Sequence, residues 1–334
     1  MMRSSNWLIP AIDGLPFFHK PPLFYWITAG SMSLFGFHEL AARAAPILGA
    51  SFGAFALYLF TRRWSSERAA RLTPLALMVQ PLFYIGGQFA NLDMLVAGLI
   101  TATIVTLAHA ALCIERELPH RRAVVAAYVL AALGVLAKRL IGAVIPLLVI
   151  FTWLAATQRW RVIRSLASMS GAAAFLLIAA PWFVVMQWQF PDFMDYFFFV
   201  QHFKRFAAGG FNNVQPFWFY PVVLVVFSMP GLPWLYRSLT GGLFLDGDRG
   251  MIQLLMWPWV AIVVVFFSLP KSKPLGYVLP AVFPLVYLMA DGFIAMGLPS
   301  RRVKQAWLMG LGVATTLSRR FGCSIVNPRS KVDP

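Results

Sequence analysis

Five short stretches carry residue types from which a phosphate-handling site could be built. In SLPKSKPLGYVLP, Lys271 and Lys273 stand two residues apart, framed by Pro270 and Pro274. Proline fixes φ and stiffens the chain, so both ammonium groups can be presented to one phosphate or phosphodiester. The competing reading is a pair of lysines snorkelling at a helix end. In YFFFVQHFKRF, His202 offers a neutral imidazole to a divalent cation, and Lys204 and Arg205 can clamp phosphate oxygens. A plain amphipathic surface helix would have the same composition. LPFFHKPPLFYW places His19, a second candidate metal ligand, and Lys20 on a rigid turn before a row of aromatic rings. Asp93, in QFANLDMLVAG, is an acid at the mouth of an apolar run. It suits a functional carboxylate, and Asn91 or Asp93 equally suits a helix N-cap. Lys138 and Arg139, in AKRLIG, are either a second anion contact or snorkelling groups. His38, His109 and His120 read as edge, core and loop histidines without partners.

These residues need a scaffold, and the composition says which. Of 334 residues, 60% are hydrophobic and 12% charged, where soluble domains carry roughly 25% charged residues. The apolar residues run in blocks of about 20, long enough to cross a bilayer as helices. The chain therefore reads as an all-α, polytopic transmembrane bundle of nine to ten spans plus interfacial helices. Crossings are expected at 41–60, 72–87, 92–112, 122–137, 140–157, 166–187, 217–235, 251–269 and 275–297, with a weaker tenth at 305–317. Residues 23–36 are too short to cross and read as an interfacial or re-entrant helix. The segment at 194–200 reads as a helix on the membrane surface.

The net charge of +16 lies in short loops, which points to membrane topology rather than nucleic-acid binding. One loop set holds 15 basic residues, from Arg62 to Lys304, and reads as cytoplasmic. The alternate set holds every unusual group named above. Positive charge there runs against the orientation rule, so a bound anion is the simplest reason for it. Asp291 falls near the cytoplasmic end of its span and reads as interfacial. The two cysteines, Cys113 and Cys323, match no metal spacing and form no disulfide framework. A cation clamp, a carboxylate and a phosphate leaving group are the parts of glycosyl transfer from a sugar phosphate. A transporter would instead bury charges mid-span and show repeat symmetry, and neither is seen. A lipid-phosphate binding protein without catalysis is the closer rival.

The order of NWLIPAIDGLPFFHKPPLFYWITAGSMSLFG, FANLDML, AKRLIGAVIP, APWFVVMQWQFPDFMDYFFFVQHFKRF, QPFWFYPVVL and SLPKSKPLGYVLPA resembles the bacterial glycosyltransferase family 39/83 group. That group includes aminoarabinose transferases and relatives of protein O-mannosyltransferases. The resemblance runs from residue 6 to about 297. It implies a GT-C fold over residues 1–318, followed by an atypical tail at 319–334. It also implies an inner-membrane enzyme with a periplasmic active face. The donor would be a polyprenyl-phosphate-linked sugar, and the acceptor lipid A, another glycolipid or a protein hydroxyl. On this resemblance Lys20, Lys271 and Lys273 look like phosphate contacts with Tyr277 nearby. Asp93 looks like the second outer acid, and His202 like the histidine tied to a divalent metal such as Mg, Mn or Zn.

Three departures accompany the resemblance. The family's first helix and its outer-loop aspartate would lie upstream of residue 6, and Asp13 is in the wrong part of the loop to replace that acid. His19 stands where a glutamate is the metal partner. Arg139 stands where a glycine is usual. SRRFGCSIVNPRSKVDP leaves the apolar pattern abruptly, as a frameshift or premature stop would. The expected object is thus a transferase truncated at both ends.

Overall fold

The computed structural model describes residues 7–12, 15–16, 20–194, 213–242 and 247–296. Among these, the chain is helical apart from Ala11–Ile12 and Leu15–Pro16, a two-residue antiparallel pairing (β1 and β2). The first helices are α1 (Leu23–Phe35), α2 (Glu39–Ala42), α3 (Ala44–Trp64), α4 (Glu67–Val79) and α5 (Pro81–Gln88). Next come α6 (Leu92–Glu115), α7 (Arg121–Lys138), α8 (Ile141–Ala156), α9 (Trp160–Leu166) and α10 (Met169–Gln189). The last are α11 (Phe219–Phe227), α12 (Leu232–Gly242), α13 (Asp248–Ser268) and α14 (Leu279–Met296), with a 3-10 turn, Leu275–Val278, leading into α14.

Helices occupy all nine expected positions within the described range. Five are long and apolar enough to cross a membrane: α3, α6, α10, α13, and Leu275–Met296 taken as one. A sixth results if α11 and α12, bent by 110°, form one broken span. Four expected crossings differ: those at 122–137 and 140–157 fall on α7 and α8, neither of them among the five, and the other two are broken for local reasons. The run at 72–87 divides into α4 and α5 because Pro81 opens a new helix, with the Gln80 side chain accepting from the Phe83 N–H at 2.9 Å. The run at 217–235 breaks at the 3-10 turn Met229–Gly231. Helix α1 has 13 residues, about 20 Å at 1.5 Å per residue, too short for a core of about 30 Å. The expected surface helix beyond Met194, the tenth crossing and the 319–334 tail lie outside the described residues.

Helix α6 is the axis of the bundle, nearly all of it buried among α3, α7, α8 and α14. Two glycine pairs bring its partners close. A Cβ on Gly98 would overlap the backbone of Gly49 in α3, and one on Gly142 in α8 would overlap that of Gly134 in α7. Small residues at such crossings let helix backbones touch, the usual basis of packing in lipid. A second apolar cluster, of Trp182, Phe183, Met186 and Phe193 with Val135 and Leu136, seats Leu23 and Trp26 of α1 beside the end of α7. Lys20 therefore leads into a helix that packs on α7. The pairings sort into two ends. Asp93, Lys138 and Tyr277 meet at one, and Glu115, Arg116, Arg159, Asp248 and Asp291 at the other. This is the separation the alternating loops predict.

Candidate functional site

Asp93 lies in the first turn of α6 and is 7% exposed. Asn91 holds the N-cap position but makes no capping bond with its side chain. Its Nδ2 instead donates to Asp93 Oδ2 at 2.9 Å, so both polar groups that looked like cap candidates serve the carboxylate. Lys138, the last residue of α7, reaches across to donate from Nζ to Asp93 Oδ1 as a buried ion pair. The same ammonium lies 3.8 Å from the centroid of the Tyr277 ring, a cation–π contact strengthened by exclusion of water. Three elements distant in sequence thus converge on one carboxylate.

The 3-10 turn makes room for that convergence. A Cβ at Gly276 would overlap Asp93 Oδ2. Gly276 is not among the glycines with positive φ, so space rather than backbone conformation requires it. Tyr220 in α11 fixes the approach to the turn, its hydroxyl donating to Pro274 O at 2.9 Å.

Lys273 is 4% exposed. Its Nζ donates to Pro270 O at 2.6 Å and Gln215 O at 2.9 Å. Among the described residues no carboxylate lies within ion-pair distance of it. The backbone on either side is held by an antiparallel bridge between Val214 and Ser272, with Gln215 N donating to Lys271 O at 3.2 Å and Lys273 N to Asn213 O at 3.0 Å. Lys271, by contrast, is exposed. A cavity of about 470 Å³ opens beside this loop, between α5, the start of α6, the 213–219 segment and the 273–279 segment. Asp93, Gly276 and Lys273 line it; Lys138 and Tyr277 do not.

The structure therefore joins Asp93, Lys138, Lys273 and Tyr277 at one end of the bundle, with Lys20 half-buried just before α1. His19, His202, Lys204 and Arg205 lie outside the described residues. Among the described residues no three His, Cys, Asp or Glu side chains gather to hold a metal ion. Asn91 is expected from the sequence only as a helix cap, and Gly276 draws no expectation at all. An amide two residues before an acid and a glycine before a tyrosine are the only traces they leave there.

Other polar residues found unexpected partners. His38 caps α2, accepting from Ala41 N at 3.2 Å, and His109 accepts from Trp64 Nε1 at 2.9 Å. Asp291 is buried within the bundle near the end of its helix, bound by Arg249 and Gln253. Arg139 has φ +67° and ψ −158° at the end of α7, a region that glycine alone occupies without strain. That is a physical reason for the usual glycine at this place.

The helical membrane bundle is of the GT-C glycosyltransferase type, as its likeness to a solved structure shows. The family model described as dolichyl-phosphate-mannose-protein mannosyltransferase matches residues 19–185, half of the chain, and the chain belongs to that family. An undecaprenyl phosphate-alpha-4-amino-4-deoxy-L-arabinose arabinosyl transferase of Aeromonas salmonicida is 31% identical over 319 residues, covering 93% of this chain and 57% of that protein. One from Sodalis glossinidius is 32% identical over 300 residues, covering 87% and 52%. The chain spans a little over half the length of these relatives. Among solved structures, ArnT from Cupriavidus metallidurans bound to undecaprenyl phosphate superposes with a TM-score of 0.82 at 27% identity, over 95% of this chain and 57% of that one.

Proposed function

We propose that this chain forms the transmembrane part of a glycosyltransferase that moves a sugar from a polyprenyl-phosphate carrier to an acceptor at the periplasmic face of the inner membrane. The observation that carries the reading is the Asp93–Lys138 pair, buried beneath the Tyr277 ring and open to a cavity through Asp93 alone. The relatives are arabinosyl transferases by name, and the solved neighbour holds undecaprenyl phosphate. Both support a lipid-phosphate donor, and lipid A is the proposed acceptor ahead of another glycolipid or a protein hydroxyl.

In this reading the acceptor oxygen attacks the anomeric carbon, and the bond from that carbon to the phosphate oxygen breaks. The electron pair leaves with the polyprenyl phosphate, so the anomeric centre inverts. Lys20 and Lys138 hold the phosphate as its charge grows, joined by Lys204 and Arg205 from the long loop. Asp93 takes the acceptor's proton. Lys138, seated between Asp93 and Tyr277, couples the two events by facing both carboxylate and phosphate. Lys271 and Lys273 add positive potential around the same mouth. A divalent ion held by His19 and His202 remains part of the proposal. No step above requires it, and transfer that survives chelation with EDTA would remove it.

The test is transfer of aminoarabinose from undecaprenyl phosphate-aminoarabinose to lipid A by the purified chain in lipid nanodiscs. Product formation supports the reading. Donor binding without product would reduce the chain to a carrier-lipid binding protein, and absence of both would end the proposal.

A further inference from the structure

At the end of the bundle opposite Asp93, the connection from α3 to α4 and the end of α6 gather more arginines than carboxylates. Arg62 and Arg71 both bind Glu67, at 3.4 and 3.0 Å, and Arg116 pairs with Asp248. Among the described residues no carboxylate lies within ion-pair distance of Arg63 or Arg68. Arg63 is nevertheless held in place. Its guanidinium carbon and that of Arg116 each lie 4.6 Å from the centroid of the Trp64 ring. Trp64 is 2% exposed, and its ring is fixed by Nε1, which donates to His109 Nδ1 at 2.9 Å. Two exposed cations from different helices thus share one rigid aromatic platform.

Cations drawn together repel, and contact with a ring offsets this only in part. With Asp248 as their one carboxylate, Arg63 and Arg116 keep a net positive charge open to the surface. An anion that meets both guanidiniums supplies the missing charge, and the planar fork of arginine suits phosphate oxygens. The face of α3 below Arg63 says where that anion comes from. Leu48, Phe52, Phe55 and Leu59 lead to Arg63 by steps of three and four residues, so they share one face of the helix. They are 54%, 43%, 57% and 46% exposed. Helix α3 is long and apolar enough to cross a membrane, so this face meets hydrocarbon up to the turn where Arg63 stands. A free anion would use the cations but not the apolar stripe beneath them.

We infer that Arg63, Trp64 and Arg116 form a binding site for an anionic phospholipid of the leaflet at this end. Its phosphodiester lies across the two guanidiniums, and an acyl chain runs along Leu59, Phe55 and Phe52. Basic pockets between helices at the membrane surface suit acidic headgroups in this way. The bound headgroup joins the far ends of α3 and α6, two helices whose backbones touch at Gly49 and Gly98 nearer the Asp93 end. The lipid is thus a structural ligand of the helix pair that carries Asp93. The site is remote from Asp93 itself, so the inference stands apart from the transferase reading.

The test measures binding of phosphatidylglycerol and phosphatidylcholine to the full chain by native mass spectrometry. Thermal unfolding in phosphatidylcholine nanodiscs checks that each variant is folded. Wild type is expected to hold phosphatidylglycerol more tightly than phosphatidylcholine. Arg63→Gln should weaken phosphatidylglycerol binding about fivefold, the effect of one cation near an acidic headgroup, and leave phosphatidylcholine binding unchanged. Arg63→Lys should recover part of that loss, because the charge returns without the planar fork. Arg68→Gln removes an equal charge from α4, away from the Trp64 ring, and should leave both lipids bound as in wild type. Equal weakening by Arg63→Gln and Arg68→Gln would reduce the site to diffuse attraction between charges and overturn the inference. A wild type that does not distinguish the two lipids overturns it as well. Displacement of phosphatidylglycerol by its soluble headgroup analogue, glycerol 3-phosphate, would assign the cations to a free anion and overturn the lipid reading.

Discussion

Among the described residues the bundle buries one carboxylate near each end, and the two are treated differently. Asp291, 3% exposed, is fully engaged. Arg249 donates from Nε to Oδ1 at 2.9 Å and from a terminal nitrogen to Oδ2 at 3.0 Å, and Gln253 donates to Oδ2 at 2.6 Å. The cavity of about 470 Å³ lies at the Asp93 end, and the neighbours of Asp291 add to its bonding. Tyr287 and Ser65 share a hydrogen bond at 2.9 Å, and Arg116–Asp248 and Arg159–Glu115 pair at the same end of the bundle. Asp93 has one cation, one amide and an open cavity beside it. Both ends pay for buried charge with partners, but only one leaves a face of the carboxylate free for a ligand. A closed network of this kind fixes helix positions, and an open one can do chemistry.

That contrast can be broken by exchange of the two acids. Asp93→Ala should lower transfer by about 10²–10⁴-fold, the range for loss of a positioned base, measured per folded molecule. It should also destabilise the chain by about 3–5 kcal/mol, because Lys138 is left buried and unpaired. Asp291→Ala should cost a similar amount of stability, about 3–5 kcal/mol, while kcat per folded molecule stays near wild type. A fall in kcat matching that of Asp93→Ala would erase the distinction between the ends. Tyr277→Leu sharpens it further. Loss of the desolvated cation–π contact should cost about 2 kcal/mol, read as weaker undecaprenyl phosphate binding, with lipid A binding unaffected. The smallest effect belongs to Arg139→Gly. Relief of a strained backbone is worth about 1 kcal/mol, and thermal unfolding should show a higher Tm with unchanged affinity for either lipid.

Much of the site was legible because membrane sequences leave few charges, and those few are informative. Lys138 and Lys273 stood out as cations on the wrong side for topology, and Asp93 as an acid at a helix mouth. Their relations were not legible. Forty-five residues separate Asp93 from Lys138, and no periodicity links them. Lys271 and Lys273 look equivalent in KSK, yet one is exposed and the other buried, because the bridge between Val214 and Ser272 draws the loop onto the bundle. His109 looked solitary for the same reason. Its partner Trp64 comes from another helix.

The sequence alone determined that this is a helical membrane protein, which helices are apolar, and that Asp93 and Lys138 fall at the same end of the bundle. Those follow from composition and from alternation along the chain, which are local or additive properties. Tertiary structure alone decided that Asp93 pairs with Lys138, that Tyr277 rather than a second lysine completes the pair, and that Gly276 lets the turn pack directly against the carboxylate. Each of these depends on how closely α6, α7 and the turn before α14 approach one another. That approach is set by glycine contacts and ring packing between segments far apart in sequence.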